Sequence, residues 1–288
     1  MKKNFLNSEF SFSLGVPALI WQFLFFYLPL LIIVISSFIT FSEEGLFSGF
    51  TLEKVFFFLN PTYLKVIGAS LLLAFFNAVF CLLIAYPMAY FMAIAAKKFK
   101  NVLLILLIVP FWTNFLLHVY AWFFVLERDG FLNNLLHSLG LVHEPLQLLN
   151  SLFSIMIMMV YYYLPFMVLP IYSSLERFDY KLIEASLDLG ATSMQTFRRI
   201  LFPLTLRGMR TGFFLVYIPS FGEFAIPELM GGDKQMFVGS VVSHYILGDE
   251  TGSLGAAFTV VSCCILLLSA VFLFWLIGRF MPKPMREL

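Results

Sequence analysis

Between Lys65 and Lys97 the chain runs through thirty-one residues, Val66 to Ala96, without one charged side chain. About 20 apolar residues cross a bilayer as a helix. This run therefore tilts, kinks near Pro87, or extends beyond the lipid. A segment hydrophobic on every side has no place on a water-soluble surface. The rest of the chain agrees. Of its 288 residues 61% are hydrophobic and 12% charged, and 37 are phenylalanine. Soluble domains carry about 25% charged residues. The expected fold class is an all-α, polytopic membrane protein.

Six such spans are legible. Val16–Ile39 is interrupted mainly by Gln22, is too long for a signal-peptide core and lacks an A-x-A site, so it reads as a retained helix; the alternative is a cleaved signal. After Val66–Ala96 comes a turn with Lys97, Lys98 and Lys100, then Val102–Leu126, which contains Pro110 and His118. Leu152–Leu175 is the fourth span, with Pro165 and Pro170 inside it. Thr211–Leu229 is the fifth, containing Glu223 and Glu228, and Leu254–Gly278 the sixth. Residues 41–63, 127–151 and 231–253 are polar loops. The expected organisation is a lead at 1–15, a six-helix domain at 16–281 and a tail at 282–288.

Six spans place both termini on one side, and positive charge decides which. Fourteen Lys and Arg lie on the side of the termini and four on the other, at Lys54, Lys65, Arg128 and Lys234. Both termini, and the segment between spans four and five, are therefore expected in the cytoplasm. Nine acidic residues lie in the three outer loops.

That cytoplasmic segment, Asp179–Pro203, is the one sizeable charged and amphipathic stretch. Apolar residues recur at Ile183, Leu187, Ala191, Met194, Phe197 and Leu201, at helical spacing. Gly190 interrupts the pattern. Thr192 with Gln195 has the form of a capping box, and Pro203 is expected to close the segment. The spacing predicts two short helices joined at the glycine. They have no core of their own, so they must lie on the membrane, on the bundle or on a partner.

Glu184, Ala185, Gly190, Ile200 and Pro203 resemble the "EAA" loop of the membrane subunits of binding-protein-dependent ABC importers, with Ser186 in place of the second alanine. In that family the loop is the coupling helix that docks on the ATP-hydrolysing subunit. The resemblance thus implies a type I importer permease fold, with its core at about 62–278 and a coupling loop at 176–207. It assigns ATPase coupling to Glu184, Ala185, Ser186, Gly190, Ala191, Phe197 and Pro203.

The chemistry-bearing candidates lie in two spans. The fifth reads P-S-F-G-E-F-A-I-P-E-L-M-G-G from Pro219 to Gly232. A carboxylate near a helix centre costs about 2.5–3.5 kcal/mol on insertion scales. Pro219, Gly222 and Pro227 favour a broken helix, which is where transporters place substrates. Glu223 and Glu228 are therefore candidates for recognising a cation. The alternatives are a solvated Glu228 at the outer interface and a Glu223 paired with a basic group of a partner subunit. In the third span, Trp112, Asn114, Tyr120 and Trp122 lie in the outward half. Aromatic faces attract ammonium groups by about 0.5–2 kcal/mol each, and Trp and Tyr also form interfacial belts. Trp112 and Asn114 are about 200° apart on a helix, so one at most faces a pore unless Pro110 distorts it. The run Tyr161–Tyr163 reads as packing.

Other chemistry is excluded by type. No G-x-x-x-x-G-K-[ST] loop occurs, so ATP and Mg are expected only on partner subunits and no cofactor on this chain. Cys81, Cys263 and Cys264 lie in apolar runs, and His118, His137, His143 and His244 lack ligand spacing. No nucleic-acid partner is expected.

The stretches V-P-F-W-T-N at 109–114, L-P-F-M-V-L-P-I-Y-S-S-L at 164–175 and G-E-F-A-I-P-E-L-M-G-G at 222–232 narrow the likeness. They resemble the spermidine/putrescine permeases of polyamine ABC importers, of the first-permease type. That resemblance implies a non-catalytic inner-membrane subunit working with a second homologous permease, two ATP-binding subunits, an external substrate-binding protein and membrane lipid. A polyamine is an extended cation with apolar segments, which suits carboxylates and aromatics. Two alternatives stand beside it. One is the same architecture carrying Fe³⁺, thiamine or an opine-like cation, and the other is a channel needing no ATPase.

Overall fold

A computed structural model describes residues 8–41, 47–96, 98–232, 235–247 and 252–279. The charges at Lys2, Lys3, Glu43, Glu44, Lys97, Lys234, Lys283 and Arg286 lie outside them, as do residues 1–7 of the lead and the whole of the tail. The described residues are mostly helical, and the strands among them form one two-stranded hairpin. Its strands are β1 (Ile39–Phe41) and β2 (Phe47–Phe50), paired antiparallel with Ile39 opposite Phe50. Among the described residues four helices are long and apolar enough to cross a membrane, and the number rises to six if each of two bent pairs counts as one span.

Contacts divide the chain into two units. The first comprises residues 1–64 and 241–264. It begins with α1 (Ser8–Gln22), a π turn at Phe23–Tyr27 and α2 (Leu28–Ser36). The hydrophobic window of this span has 0% of its residues buried. The hairpin follows, then α3 (Glu53–Phe57). Phe58 is fully buried, its ring 4.7 Å from Tyr63 and 5.1 Å from Phe258. Lys54 ties three segments together by donating to the carbonyl of Ile39 at 2.6 Å and to Ser253 Oγ at 2.9 Å.

The second unit, residues 65–240 and 265–288, is built on α8 (Leu152–Glu176). Pro165 and Pro170 do not interrupt it. Pro lacks the N–H that a helix interior uses, but a membrane bundle re-satisfies the freed carbonyls through neighbours. A capping box of Ser151 and Ser154 starts the helix. Its buried face is Ile155, Met158, Met159, Met167 and Ile171. Against it runs α11 (Phe202–Phe221). The approach depends on two glycines. A Cβ on Gly208 would collide with Ser174 and lie 2.6 Å from the Pro170 carbonyl, and one on Gly212 would lie 2.8 Å from Met167 Sδ. Lipid gives no hydrophobic drive between helices, so close backbone contact through small residues supplies it.

The second span, α4 (Pro61–Tyr90) with a π turn at Phe91–Ala95, shows the same device. Ala74, Ala78, Cys81, Ala85 and Ala89 are all fully buried at helical spacing. Asn77, also fully buried, donates through Nδ2 to Ser220 Oγ at 2.7 Å. Interhelical bonds of this kind contribute about 0.6–2 kcal/mol in a membrane.

The two remaining spans are not straight. The third divides into α5 (Lys100–Ile108) with a 3-10 turn at Val109–Trp112, and α6 (Phe115–Leu126), and the chain bends there by 97°. The physical cause is local: Pro110 begins the tight turn, and Thr113 and Asn114 are extended. A short helix, α7 (Phe131–Ser138), follows in the second polar loop. The fifth span is α11 followed by α12 (Ala225–Gly231), bent by 65°.

Between spans four and five lie α9 (Lys181–Asp188), α10 (Ser193–Thr196) and a π turn at Phe197–Leu201. The latter two run without a break into α11, so Ser193–Phe221 is one helix. Pro203 was expected to close the segment and does not. It lies inside that continuous helix, and the π turn just before it takes up the change in register. The remaining elements are α13 (Val238–Leu247) and α14 (Gly252–Arg279).

Candidate functional site

Glu223 sits in the break between α11 and α12, and the geometry accounts for each donor at the start of α12. Its Oε1 accepts from the backbone N–H of Ala225 at 3.1 Å and of Ile226 at 3.4 Å. Residue 227 is proline and has no N–H to satisfy. The N–H of Glu228 bonds to the carbonyl of Phe224 at 2.9 Å. Backbone donors unpaired in hydrocarbon cost several kcal/mol each, and an anion is favoured at a helix N-terminus. The carboxylate therefore makes the break tolerable.

Glu223 Oε2 accepts from the hydroxyl of Tyr163 at 2.7 Å. Tyr163 is buried on α8, thirteen residues from Glu176, or about 20 Å along the helix. The carboxylate thus lies near the middle of the span, half-buried, with three donors already on it. A carboxylate offers about four acceptor positions, so one remains for a further cation. The chain closes over the break from behind. A Cβ on Gly239 of α13 would lie 2.6 Å from the carbonyl of Gly222, and Ser154 Oγ donates to the carbonyl of Met230 at 2.7 Å.

Glu228 is exposed on α12 and has no side-chain partner among the described residues. The structure therefore does not bring the two carboxylates into one constellation.

Trp112 stands at the 97° bend, 81% exposed. Asn114 caps α6, its Oδ1 accepting from the N–H of Leu116 at 2.8 Å. Because the bend separates them, helical phase does not govern these two, and both are exposed. Tyr120 is exposed and Trp122 half-buried, its ring 5.7 Å from Tyr161. Phe111 and Phe115 meet Tyr162 at 5.3 and 5.4 Å. The Tyr161–Tyr163 run does pack, as its sequence suggests. Its third member also holds Glu223, a role that burial hides in the sequence. His118 bonds Thr113, and its Nδ1 is buried without a partner beside an apolar cavity of about 250 Å³ that includes Phe111, Tyr161 and Tyr162. No group of three metal-ligating side chains exists among the described residues.

The second region is the segment before α11. Helix α9 ends at Gly190, whose φ of +82° only glycine adopts freely. The N–H of Ala191 bonds to the carbonyl of Ser186 and that of Gly190 to Leu187, the pair of bonds that closes a helix on a left-handed residue. Thr192 and Gln195 then form the expected reciprocal cap. Ser186 is only 8% exposed and its hydroxyl lies 2.8 Å from Thr196 Oγ1, so it clasps α9 to α10. Phe197 also turns inward, onto Tyr86 of α4 at 5.9 Å. Tyr180 donates to the carbonyl of Ala93 at 3.1 Å. Burial raises its pKa, which keeps it a donor at neutral pH. Glu184, Ala185 and Gly190 are exposed, and so are Leu182, Leu187, Leu189 and Met194, Leu189 to 89%. Leu187, Met194, Phe197 and Leu201 belong to the apolar series that recurs at helical spacing. The structure divides that set into two outward and two inward.

Residues 82–283 match the family described as binding-protein-dependent transport system inner membrane component. The chain is 37% identical over 283 residues to the spermidine/putrescine transport system permease protein PotB of Salmonella typhimurium (strain LT2), covering 98% of each chain. It is 38% identical over 264 residues to PotB of Escherichia coli (strain K12), covering 91% of this chain and 96% of that one. Among solved structures, the crystal structure of a bacterial ABC transporter involved in the import of the acidic polysaccharide alginate matches with a TM-score of 0.73 at 14% identity, covering 95% of this chain and 96% of that one.

Proposed function

The chain belongs to the binding-protein-dependent transport system inner membrane component family, and from that premise we propose that it carries polyamines, spermidine or putrescine, into the cytoplasm. It is a permease of an ABC importer and an inner-membrane protein. The observation that carries the substrate assignment is the likeness to PotB over 98% of both chains. The site's chemistry supports it. Glu223 offers a carboxylate held in place by Tyr163 near the middle of the span, and Trp112 and Tyr120 offer exposed aromatic faces.

The ATP-dependent step is assigned to two partner subunits, because the chain has no phosphate-binding loop of its own. They dock on Glu184, Ala185, Gly190 and Ala191 and on the exposed Leu187, Leu189 and Met194. Ser186, Phe197 and Pro203 serve the same coupling from inside, as parts of the clasp and of the continuous helix. Closure of the ATP-bound subunits then moves Ser193–Phe221 as one body. A helix of twenty-nine residues transmits displacement over about 43 Å, from Met194 to the break at Gly222. Coupling input and substrate carboxylate are thereby the two ends of one helix.

A second homologous permease completes the pathway. In support, the first span buries 0% of its hydrophobic window within this chain. An external binding protein delivers the substrate, and both termini lie in the cytoplasm by the distribution of Lys and Arg.

The test is ATP-dependent uptake of labelled spermidine and putrescine by the reconstituted complex. Uptake saturable by either polyamine is expected. If neither is taken up nor competes with uptake of another cation, the polyamine reading fails while the importer reading stands.

A further inference from the structure

We propose that the groove between α11 and α14 is a binding site for an anionic phospholipid, with its phosphate on Arg210 and an acyl chain along the groove. The groove has a volume of about 530 Å³ and is walled by Phe214, Leu215, Ile218, Leu267, Val271 and Phe274. Arg210 and Thr211 form one end of it. From Arg210 to Ile218 the groove follows α11 for about 12 Å, an apolar channel under a cationic head.

The electrostatics select the ligand. The Arg210 guanidinium lies 4.3 Å from the centre of the Phe274 ring, which orients it without neutralising it. Neither α11 nor α14 contains an Asp or Glu. Among the described residues the one ion pair is Lys100–Glu176, so Arg210 has no carboxylate partner among them. Arg207 stands one turn before it on α11. Arg279 ends the antiparallel α14, its guanidinium 5.8 Å from the Trp275 ring. The antiparallel pairing is fixed by Tyr217 and Ser269, whose hydroxyls are 2.9 Å apart, and by Phe214 against Phe274. Three arginines therefore gather at one end of the helix pair, at the edge of the apolar span.

An arginine at that depth reaches the interface along its own stem. There it needs an anion, and its planar fork matches phosphate oxygens. Basic pockets between transmembrane helices on the cytoplasmic side hold anionic headgroups by this chemistry. A helix from another subunit would fill the apolar wall but would leave Arg210 unpaired unless it carried an acid at that level. The charge therefore favours lipid.

The experiment is native mass spectrometry of the full chain in its assembled transporter, extracted from nanodiscs of mixed phosphatidylcholine and phosphatidylglycerol. Retained phosphatidylglycerol is expected on the wild type. Arg210→Gln should lower it about fivefold, the loss of one basic contact at a membrane surface, and Arg210→Lys should keep most of it. Ala270→Trp, which fills the groove without changing charge, should expel it as well. Equal retention by the wild type, Arg210→Gln and Ala270→Trp overturns the proposal. So does a photo-crosslinker at Leu267 that captures the second permease in place of lipid.

Discussion

The break at Glu223 and the segment around Gly190 are both polar interruptions in a chain built for lipid, and they are finished differently. At the break, the chain satisfies its own groups. Glu223 takes two backbone donors and the Tyr163 hydroxyl, and Gly239 packs against its carbonyl from behind. At the coupling segment the inner face is closed by Ser186, Thr196 and Phe197, while Leu182, Leu187, Leu189 and Met194 remain outside. The difference follows from the solvent. In hydrocarbon an unsatisfied polar group costs several kcal/mol, so a site there must be pre-assembled. At an aqueous surface an exposed leucine costs far less, and its burial can wait for a partner. The geometry of the break is thus internal to this chain, while the outer face of α9 is left open to solvent.

The comparison breaks most sharply if both regions fail together, and Gly208→Leu should do that. The new side chain has to enter the space of Ser174 and the Pro170 carbonyl. Overpacking costs about 1–3 kcal/mol and occasionally more, so assembled complex and melting temperature should both fall. Normal assembly would mean that α8 and α11 do not need this contact.

Gly190→Trp should act on the input alone, abolishing co-purification of the ATP-binding subunits while the permease itself stays folded. Open space surrounds the position, so Gly190→Ala isolates the strain of the +82° conformation, about 1–2 kcal/mol. If the tryptophan variant binds and transports normally, the docking assignment is wrong.

Glu223→Gln is the complementary change. Its amide oxygen can still cap α12, so folding and ATPase association should persist while polyamine uptake falls about tenfold, the worth of ~1.4 kcal/mol. Unchanged uptake kinetics would leave Glu223 as a cap only. Tyr163→Phe should raise KM about threefold to fivefold with little change in kcat, since it removes one donor that positions the carboxylate. An equal loss in both variants would place Tyr163 in direct contact with the substrate.

Ser186→Ala is expected to be the mildest. It restores the family's alanine and loses the bond to Thr196, at about 1 kcal/mol. A small drop in the melting temperature of the complex with normal transport is the expected result. A transport defect would move Ser186 to the docking surface.

Much of this was legible in the residues. Leu152–Glu176 and Gly252–Arg279 differ from their sequence readings by at most two residues at either end, because uninterrupted apolarity leaves a chain in lipid only helix to form. The Thr192–Gln195 cap was legible because its spacing is local. Pro203 was misread because proline's effect depends on whether the preceding turn can absorb it, and a π turn leaves no clear mark in sequence. The sequence offers Asn114 as a pathway residue, and its capping bond appears only once Thr113 is extended. Tyr163 was read as packing because nothing local connects it to a carboxylate sixty positions away.

The sequence by itself determined the helical membrane class, the order of the spans, the uneven distribution of basic charge and the family. Each rests on composition or on spacing within a few residues. Only the tertiary structure decided that the second half of the coupling segment runs into α11 as one helix, Ser193–Phe221, that Glu223 is held by Tyr163 and the start of α12, and that Ser186 faces inward. These facts depend on which faces meet, and in lipid that choice is made by close packing of small residues and by pairing polar groups across helices, neither of which any single stretch of sequence contains.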